Sequence, residues 1–287
     1  MKNQVLNISI CEAAITIGRV NFINGIYVCE QSNRYPINNW ASVAEVIKQW
    51  ANAIISFANN SPFSALAIAA PGPFDYQNGV SYINENRNLK SLYNQNLKQL
   101  LAAELNMQEP DIVFFNDAVC ALAAEPLPNE ISNKKVLGLY FDEGFGSAWL
   151  SDNEFGDAQL WKQPFLTGTA EDYFSIKWLR KAYFKLTGLG FAHINDINNF
   201  SSITGKELLK EFIENLAVYL NKINNQYPFK GLLLGGAMFA NNVNILPMLK
   251  KRLATQDTEI SIFRSQLGGL APLIGTAALR DMALLKT

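Results

Sequence analysis

The stretch "DIVFFNDAVCALAAE" (Asp111–Glu125) changes its periodicity halfway along. Ile112, Val113, Phe114 and Phe115 form a short apolar run of β-branched and aromatic residues, the composition of a buried strand. From Ala118 to Ala124 the residues are helix formers with no turn residue among them. The two patterns meet at Asn116-Asp117. A carboxylate at the end of a buried strand, opening a helix, lies where open α/β sheets place their ligands. Such a group can accept the proton of a substrate hydroxyl, which makes Asp117 the candidate catalytic base. Asp is also a leading N-cap residue, and on position alone a role as helix cap stays open.

Upstream, "VLNISICEAAITIGRV" (Val5–Val20) reads as two short strands, Val5–Ile10 and Ile15–Val20, with a third near residues 25–29. Between the first two, Cys11-Glu12-Ala13-Ala14 lacks the Gly, Asn or Asp that a tight hairpin normally uses. A helix is predicted over Ser42–Ala58, with Ser42 as N-cap and Glu45 completing a capping box. "SALAIAAPGPFD" reads as a buried strand broken by Pro71-Gly72-Pro73. Leu97, Leu100, Leu101 and Leu105 share one face of a helix predicted over Leu92–Leu105. The second half repeats this grammar. "KVLGLYFDEGFGSAWLSDNEF" (Lys135–Phe155) is strand, glycine-containing turn, strand, and helices follow near 170–186 and 206–225. "FKGLLLGGAMFANN" is then a strand ending in Gly235-Gly236, ahead of a helix, the strand "ISIFRSQ" and a terminal helix. Two such halves predict a duplicated α/β architecture of two lobes with a cleft between them, not a barrel of eight βα units.

Composition narrows the function. The chain has 287 residues, 49% of them hydrophobic, and a formal net charge of -1. That supports a large core and gives no electrostatic case for nucleic acid or an anionic membrane. No run approaches membrane-spanning length, and "MKNQVLNISI" reads as a strand rather than a signal peptide, which implies a cytoplasmic protein. Cys11, Cys29 and Cys120 lack CxxC spacing, which fits a reducing compartment and argues against structural zinc. The single His193 excludes a His-pair metal site, and no GxSxG elbow accompanies it. Gly235-Gly236 admits a ligand close to the backbone or is an ordinary strand-to-helix turn. The turn "DEGFGSA" (Asp142–Ala148) carries Gly144 and Gly146, whose amides could hold phosphate, yet Asp142 and Glu143 would repel one.

In order and spacing, six blocks resemble the ROK family (repressor, ORF, kinase) of sugar kinases in the actin-like ATPase superfamily. They are "IAAPGPFDYQNGV", "ENRNLKSLYNQNLKQLLAAEL", "VFFNDAVCALAAE", "GTAEDYFS", "LLLGGAMFANN" and "LGGLAPLIGTAAL", and together they span essentially the whole chain. The resemblance implies a duplicated ribonuclease H-like fold. Its N-terminal lobe would cover 1–118, joined by a C-terminal helix at about 271–287, and its C-terminal lobe 119–270. It implies ATP-dependent phosphorylation of a hexose or N-acetylhexosamine, with Mg-ATP as cofactor and a homodimer as the assembly. Asp117 would be the base; Asn88, Asn116 and Glu171 would hold the sugar, and Gln159 stands where the family has a sugar-contacting Glu. Gly144, Gly146, Gly235 and Gly236 would face the nucleotide.

The departures from that pattern are as informative. The family's first hairpin carries an Asp-x-Gly-Gly-Thr loop for ATP phosphates and magnesium-bound water; here those positions are Ser9, Cys11, Glu12 and Ala13. The second phosphate hairpin, usually Gly-Thr-Gly-x-Gly-Gly, reads Asp142-Glu143-Gly144-Phe145-Gly146-Ser147. Two like charges about 4 Å apart repel by about 4 kcal/mol at an effective dielectric of about 20. One such acid could therefore weaken nucleotide binding by roughly a hundredfold or more. "GDAQLWKQPFLTGTAEDYF" occupies the place of the family's zinc cluster without His or Cys, so zinc is not expected. The family's repressors carry an N-terminal helix-turn-helix, whereas "MKNQVLNISI" opens on a strand, which implies no DNA partner. Two readings follow: an ATP-dependent sugar kinase, or a catalytically impaired carbohydrate-binding or regulatory protein that kept the kinase fold.

Overall fold

A computed structural model describes residues 4–11, 13–38, 40–84, 89–132, 134–191, 203–240, 244–254 and 260–285. Glu12, Asn88 and His193 lie outside these described residues. The chain packs as two units, 1–126 with 270–287, and 127–269.

The first unit opens on the strands β1 (Val5–Cys11), β2 (Ala14–Ile23) and β3 (Ile26–Pro36), followed by helix α1 (Val43–Ala58). Next come β4 (Ala65–Ala70), the two-residue strands β5 (Phe74–Asp75) and β6 (Val80–Ser81), and helix α2 (Leu97–Leu105). β7 (Ile112–Asn116) and α3 (Asp117–Ala124) complete it on the N-terminal side. The main sheet runs β3-β2-β1-β4-β7. β1, β2 and β3 form an antiparallel meander, and β1, β4 and β7 are parallel. Every residue of β4, "ALAIAA", is buried, as expected of an inner strand covered on both faces. The expected capping box opens α1: Ser42 Oγ accepts from the Glu45 N–H at 3.4 Å, and Glu45 Oε2 accepts from the Ser42 N–H at 3.0 Å.

The second unit repeats the plan. After the short helix α4 (Asn129–Ser132) come β8 (Val136–Phe141), β9 (Phe145–Ser151) and β10 (Glu154–Asp157). The two-residue strands β11 (Pro164–Phe165) and β12 (Gly168–Thr169) lead to helices α5 (Glu171–Phe174), α6 (Ile176–Thr187) and α7 (Ile203–Gln226). β13 (Gly231–Gly235), α8 (Ala237–Ala240), α9 (Ile245–Ala254) and β14 (Ser261–Arg264) follow. The sheet order is β10-β9-β8-β13-β14, with the same succession of antiparallel and parallel pairs as the first. This is the duplicated α/β architecture expected from the sequence.

Three local readings change. The helix predicted over Leu92–Leu105 is helical only as α2, because Asn96 caps it by accepting from the Gln99 N–H at 3.0 Å; Lys90–Leu92 is a single 3-10 turn. The helix predicted over 170–186 breaks at Ser175, whose backbone is extended. Its hydroxyl donates to Glu171 O at 2.7 Å and accepts from the Trp178 N–H at 3.2 Å, so one residue ends α5 and caps α6. β3 runs through Pro36, well past the expected 25–29.

The terminal helix α10 (Ala271–Leu284) follows the second sheet in sequence but packs in the first unit. A Cβ on Gly275 would lie 1.8 Å from the carbonyl oxygen of Cys120 in α3, so only glycine permits that approach. Asn7 Nδ2 of β1 donates to Thr276 Oγ1 at 2.9 Å, and Thr276 Oγ1 donates to Leu273 O at 2.7 Å. Asn7 and Thr276 are both buried polar residues, and this bond gives each a partner inside the core.

Candidate functional site

In the first unit, Ala70 of β4 and Asn116 of β7 are register partners, so the Pro71-Gly72-Pro73 turn and the start of α3 share one sheet edge. That edge is the carboxyl end of the parallel strands, where α/β folds build sites. Asn116 is extended (φ -65°, ψ 136°), and its Oδ1 accepts from the Val119 N–H at 2.9 Å. Asn116 is therefore the N-cap of α3. Asp117 is already in the first helical turn, which removes the reading of Asp117 as the cap. Its Oδ1 instead accepts from the Ala118 N–H at 2.8 Å. Asn116 Nδ2 donates to Tyr76 Oη at 3.0 Å, and Tyr76 Oη donates to Ala70 O at 3.3 Å. The outcome is an amide with its oxygen committed to the helix, beside a carboxylate that can only accept.

In the second unit, the hairpin turn spans Asp142–Gly144, where the Asp142 N–H donates to Gly144 O at 3.1 Å. Gly146 lies in β9 opposite Tyr140, outside the turn. The acids of this hairpin have partners within the unit. Asp142 Oδ1 accepts from the Ala237 N–H at 2.7 Å. Glu143 accepts from both terminal guanidinium nitrogens of Arg180, Nη2 at 2.6 Å to Oε1 and Nη1 to Oε2. Glu171 Oε2 accepts from the Phe145 N–H at 3.4 Å and would lie 3.1 Å from a Cβ on Gly144. Desolvation raises the Asp142 carboxyl above its usual range, against the Ala237 N–H, which lowers it, and with the charge of Glu143 adding to the rise. The residue is exposed as a whole, although neighbouring protein desolvates its carboxyl enough to raise it.

The Gly235-Gly236 turn is explained by packing. Gly236 has φ +88°, and a Cβ there would lie 2.5 Å from the backbone nitrogen of Phe141. A Cβ on Gly235 would lie 2.8 Å from the Tyr140 ring. Gln159 is exposed, with φ 50°, and its carboxamide oxygen accepts from Lys162 Nζ. In the first hairpin, Cys11 pairs with Ala14 across a two-residue loop, and Ser9 sits within β1 opposite Thr16.

These residues do not fit an ATP polyphosphate at the second hairpin: the Phe145 N–H is engaged by Glu171, and two further carboxylates stand in or beside the turn. Among the described residues no group of three or more His, Cys, Asp or Glu could hold a metal ion, and no helix is long and apolar enough to cross a membrane. Sequence reading missed Tyr76 and Arg180. Tyr76 stood inside a quoted block without a role, and Arg180 occupies an ordinary helical position with no motif around it.

No model of a known protein family and no curated protein matches the chain. Solved structures do match, over nearly its full length. A ROK family protein from Streptococcus pneumoniae in complex with sucrose is 14% identical with a TM-score of 0.80, covering 99% of this chain and 100% of that one. A ROK family glucokinase from Streptomyces griseus, in complex with glucose and AMPPNP, is 16% identical with a TM-score of 0.77, covering 97% and 100%. A ROK hexokinase from Thermus thermophilus is 15% identical with a TM-score of 0.74, covering 99% and 100%. At such identities the likeness is one of fold, and it agrees with the two sheets of equal order: the chain has the duplicated, actin-like ATPase fold of the ROK sugar kinases.

Proposed function

We propose that this chain binds a hexose or N-acetylhexosamine at the Asn116-Asp117 end of its first sheet, and that its grip on ATP phosphates has been replaced by internal contacts. The observation that carries the reading is the second hairpin, where Asp142, Glu143 and Glu171 are tied to Ala237, Arg180 and Phe145 of the same unit. Phosphoryl transfer depends on positioning and charge neutralisation, and a turn lined by carboxylates offers neither to a polyphosphate. Calorimetry with glucose, mannose, N-acetylglucosamine, N-acetylmannosamine and Mg-ATP tests the reading. Measurable sugar binding without nucleotide binding is expected.

The second reading is an ATP-dependent sugar kinase, favoured by one feature. Asp117 presents an acceptor-only carboxylate next to the amide of Asn116, a pairing suited to taking a proton from a bound hydroxyl. In that case Mg-ATP is the cofactor, and Gly235 and Gly236 are the residues that would lie nearest its adenosine. Formation of a sugar phosphate by the intact chain, lost by at least a hundredfold in Asp117→Asn, would establish the kinase and overturn the first reading; losses of about 10²–10⁴-fold are typical for a missing general base.

A further inference from the structure

Tyr76 stands where β4, the turn after it and the start of α3 converge. Its hydroxyl accepts from Asn116 Nδ2 at 3.0 Å and donates to Ala70 O at 3.3 Å. The ring is held independently of that hydroxyl. It stacks on Phe74 with centroids 5.1 Å apart, and Phe74 packs against Phe114 at 5.1 Å. Gly72 leaves room for it, since a Cβ there would lie 3.2 Å from Tyr76 Oη. The other end of the Asn116 amide is fixed by the Val119 N–H at 2.9 Å. Turning the amide over would set its NH2 against that N–H, donor against donor, and leave a helix N-terminal amide without its acceptor. The amide therefore has one orientation, with one of its two N–H groups given to Tyr76 and the second left to donate.

We propose that Tyr76 is a positioning residue for sugar binding. It fixes the aim of the Asn116 amide, whose polarity the Val119 N–H sets, so that a bound hydroxyl accepts from Asn116 and donates to Asp117. This rests on the sugar-binding reading above. Tyr76 acts through Asn116, so its hydroxyl matters to ligand affinity only while the Asn116 amide is present. A purely structural tyrosine would contribute whether or not that amide is there.

The test is a double-mutant cycle of Tyr76→Phe, Asn116→Ser and the pair, in the full chain. Phe keeps the ring packing, and Ser keeps an N-cap for α3 while removing the amide. Each variant is melted to confirm folding and titrated calorimetrically with glucose, mannose, N-acetylglucosamine and N-acetylmannosamine. For the sugar that the wild type binds, Tyr76→Phe is expected to weaken binding by about fivefold, the effect of one hydrogen bond. Asn116→Ser should weaken it further, and the double variant should bind no more weakly than Asn116→Ser alone. Unchanged affinity in Tyr76→Phe, or losses that multiply in the double variant, would overturn the assignment. Failure of the wild type to bind any of the four sugars would overturn the sugar reading itself.

Discussion

Asp142 and Glu143 are charges that a phosphate-receiving turn should exclude, and both are matched by partners within their own unit. The Arg180–Glu143 pair is bidentate but only partly buried, with side-chain exposures of 35% and 31%. Glu143→Gln is therefore expected to cost only about 0.5–1 kcal/mol in urea denaturation, because partly solvated pairs are screened. Asp142 carries a pH signature. Folding raises its pKa, so above the usual 3.8 the folded chain binds more protons than the unfolded one, and this residue's contribution to stability falls as pH rises through the raised value. Asp142→Asn removes that fall while its amide oxygen can still accept from Ala237. Thermal melts between pH 4 and 7 should show the variant gaining on the wild type as pH rises. Gly236 is constrained differently, by its φ of +88° and by the Phe141 backbone, which would stand 2.5 Å from an added Cβ. Gly236→Ala should cost about 2–4 kcal/mol, from left-handed strain plus overpacking. Gly190→Ala, with no atom within 4 Å of the added methyl, should be nearly neutral in the same assay.

Elements owe their limits to single polar side chains. Ser175 splits what hydrophobic periodicity reads as one helix, because a hydroxyl that satisfies both a preceding carbonyl and a following N–H makes an extended residue stable there. Periodicity reports which face is apolar and is blind to such a break. The Asn116-Asp117 junction was legible as a strand-to-helix change, and the division of labour within it was not. Both residues are good caps, and the extended backbone at Asn116 decides that Asn caps α3 while Asp117, already in the first turn, accepts from the Ala118 N–H. The contact of α10 with α3 turns on Gly275, where an added methyl would stand 1.8 Å from Cys120 O. Gly275→Ala must push the helices apart, and a loss of about 3 kcal/mol or more by chemical denaturation is expected, at or beyond the upper end of ordinary overpacking.

At the scale of the molecule, α10 makes the first unit discontinuous in sequence, while the second is one continuous segment, 127–269. Leu273, Ile274 and Ala278 are buried in the first unit, and Thr276 satisfies Asn7 there. Burying a large aliphatic side chain contributes about 1.5–3 kcal/mol, so loss of the helix removes several kcal/mol from the first unit alone. A chain ending at Gly269 should lose the cooperative thermal transition of the first unit and keep that of the second, as followed by calorimetry. The amino acids alone make legible the two repeated halves, the apolar inner strands, the capping box at Ser42 and the Asn116-Asp117 junction. Each of these is set by residues within a turn or a strand of one another, where local hydrogen bonding and side-chain periodicity suffice. Only packing shows that Tyr76 aims Asn116, that Arg180 answers Glu143, and that Thr276 of α10 meets Asn7 of β1. Those partners lie 40, 37 and, for Asn7 with Thr276, 269 residues apart, and only packing selects them.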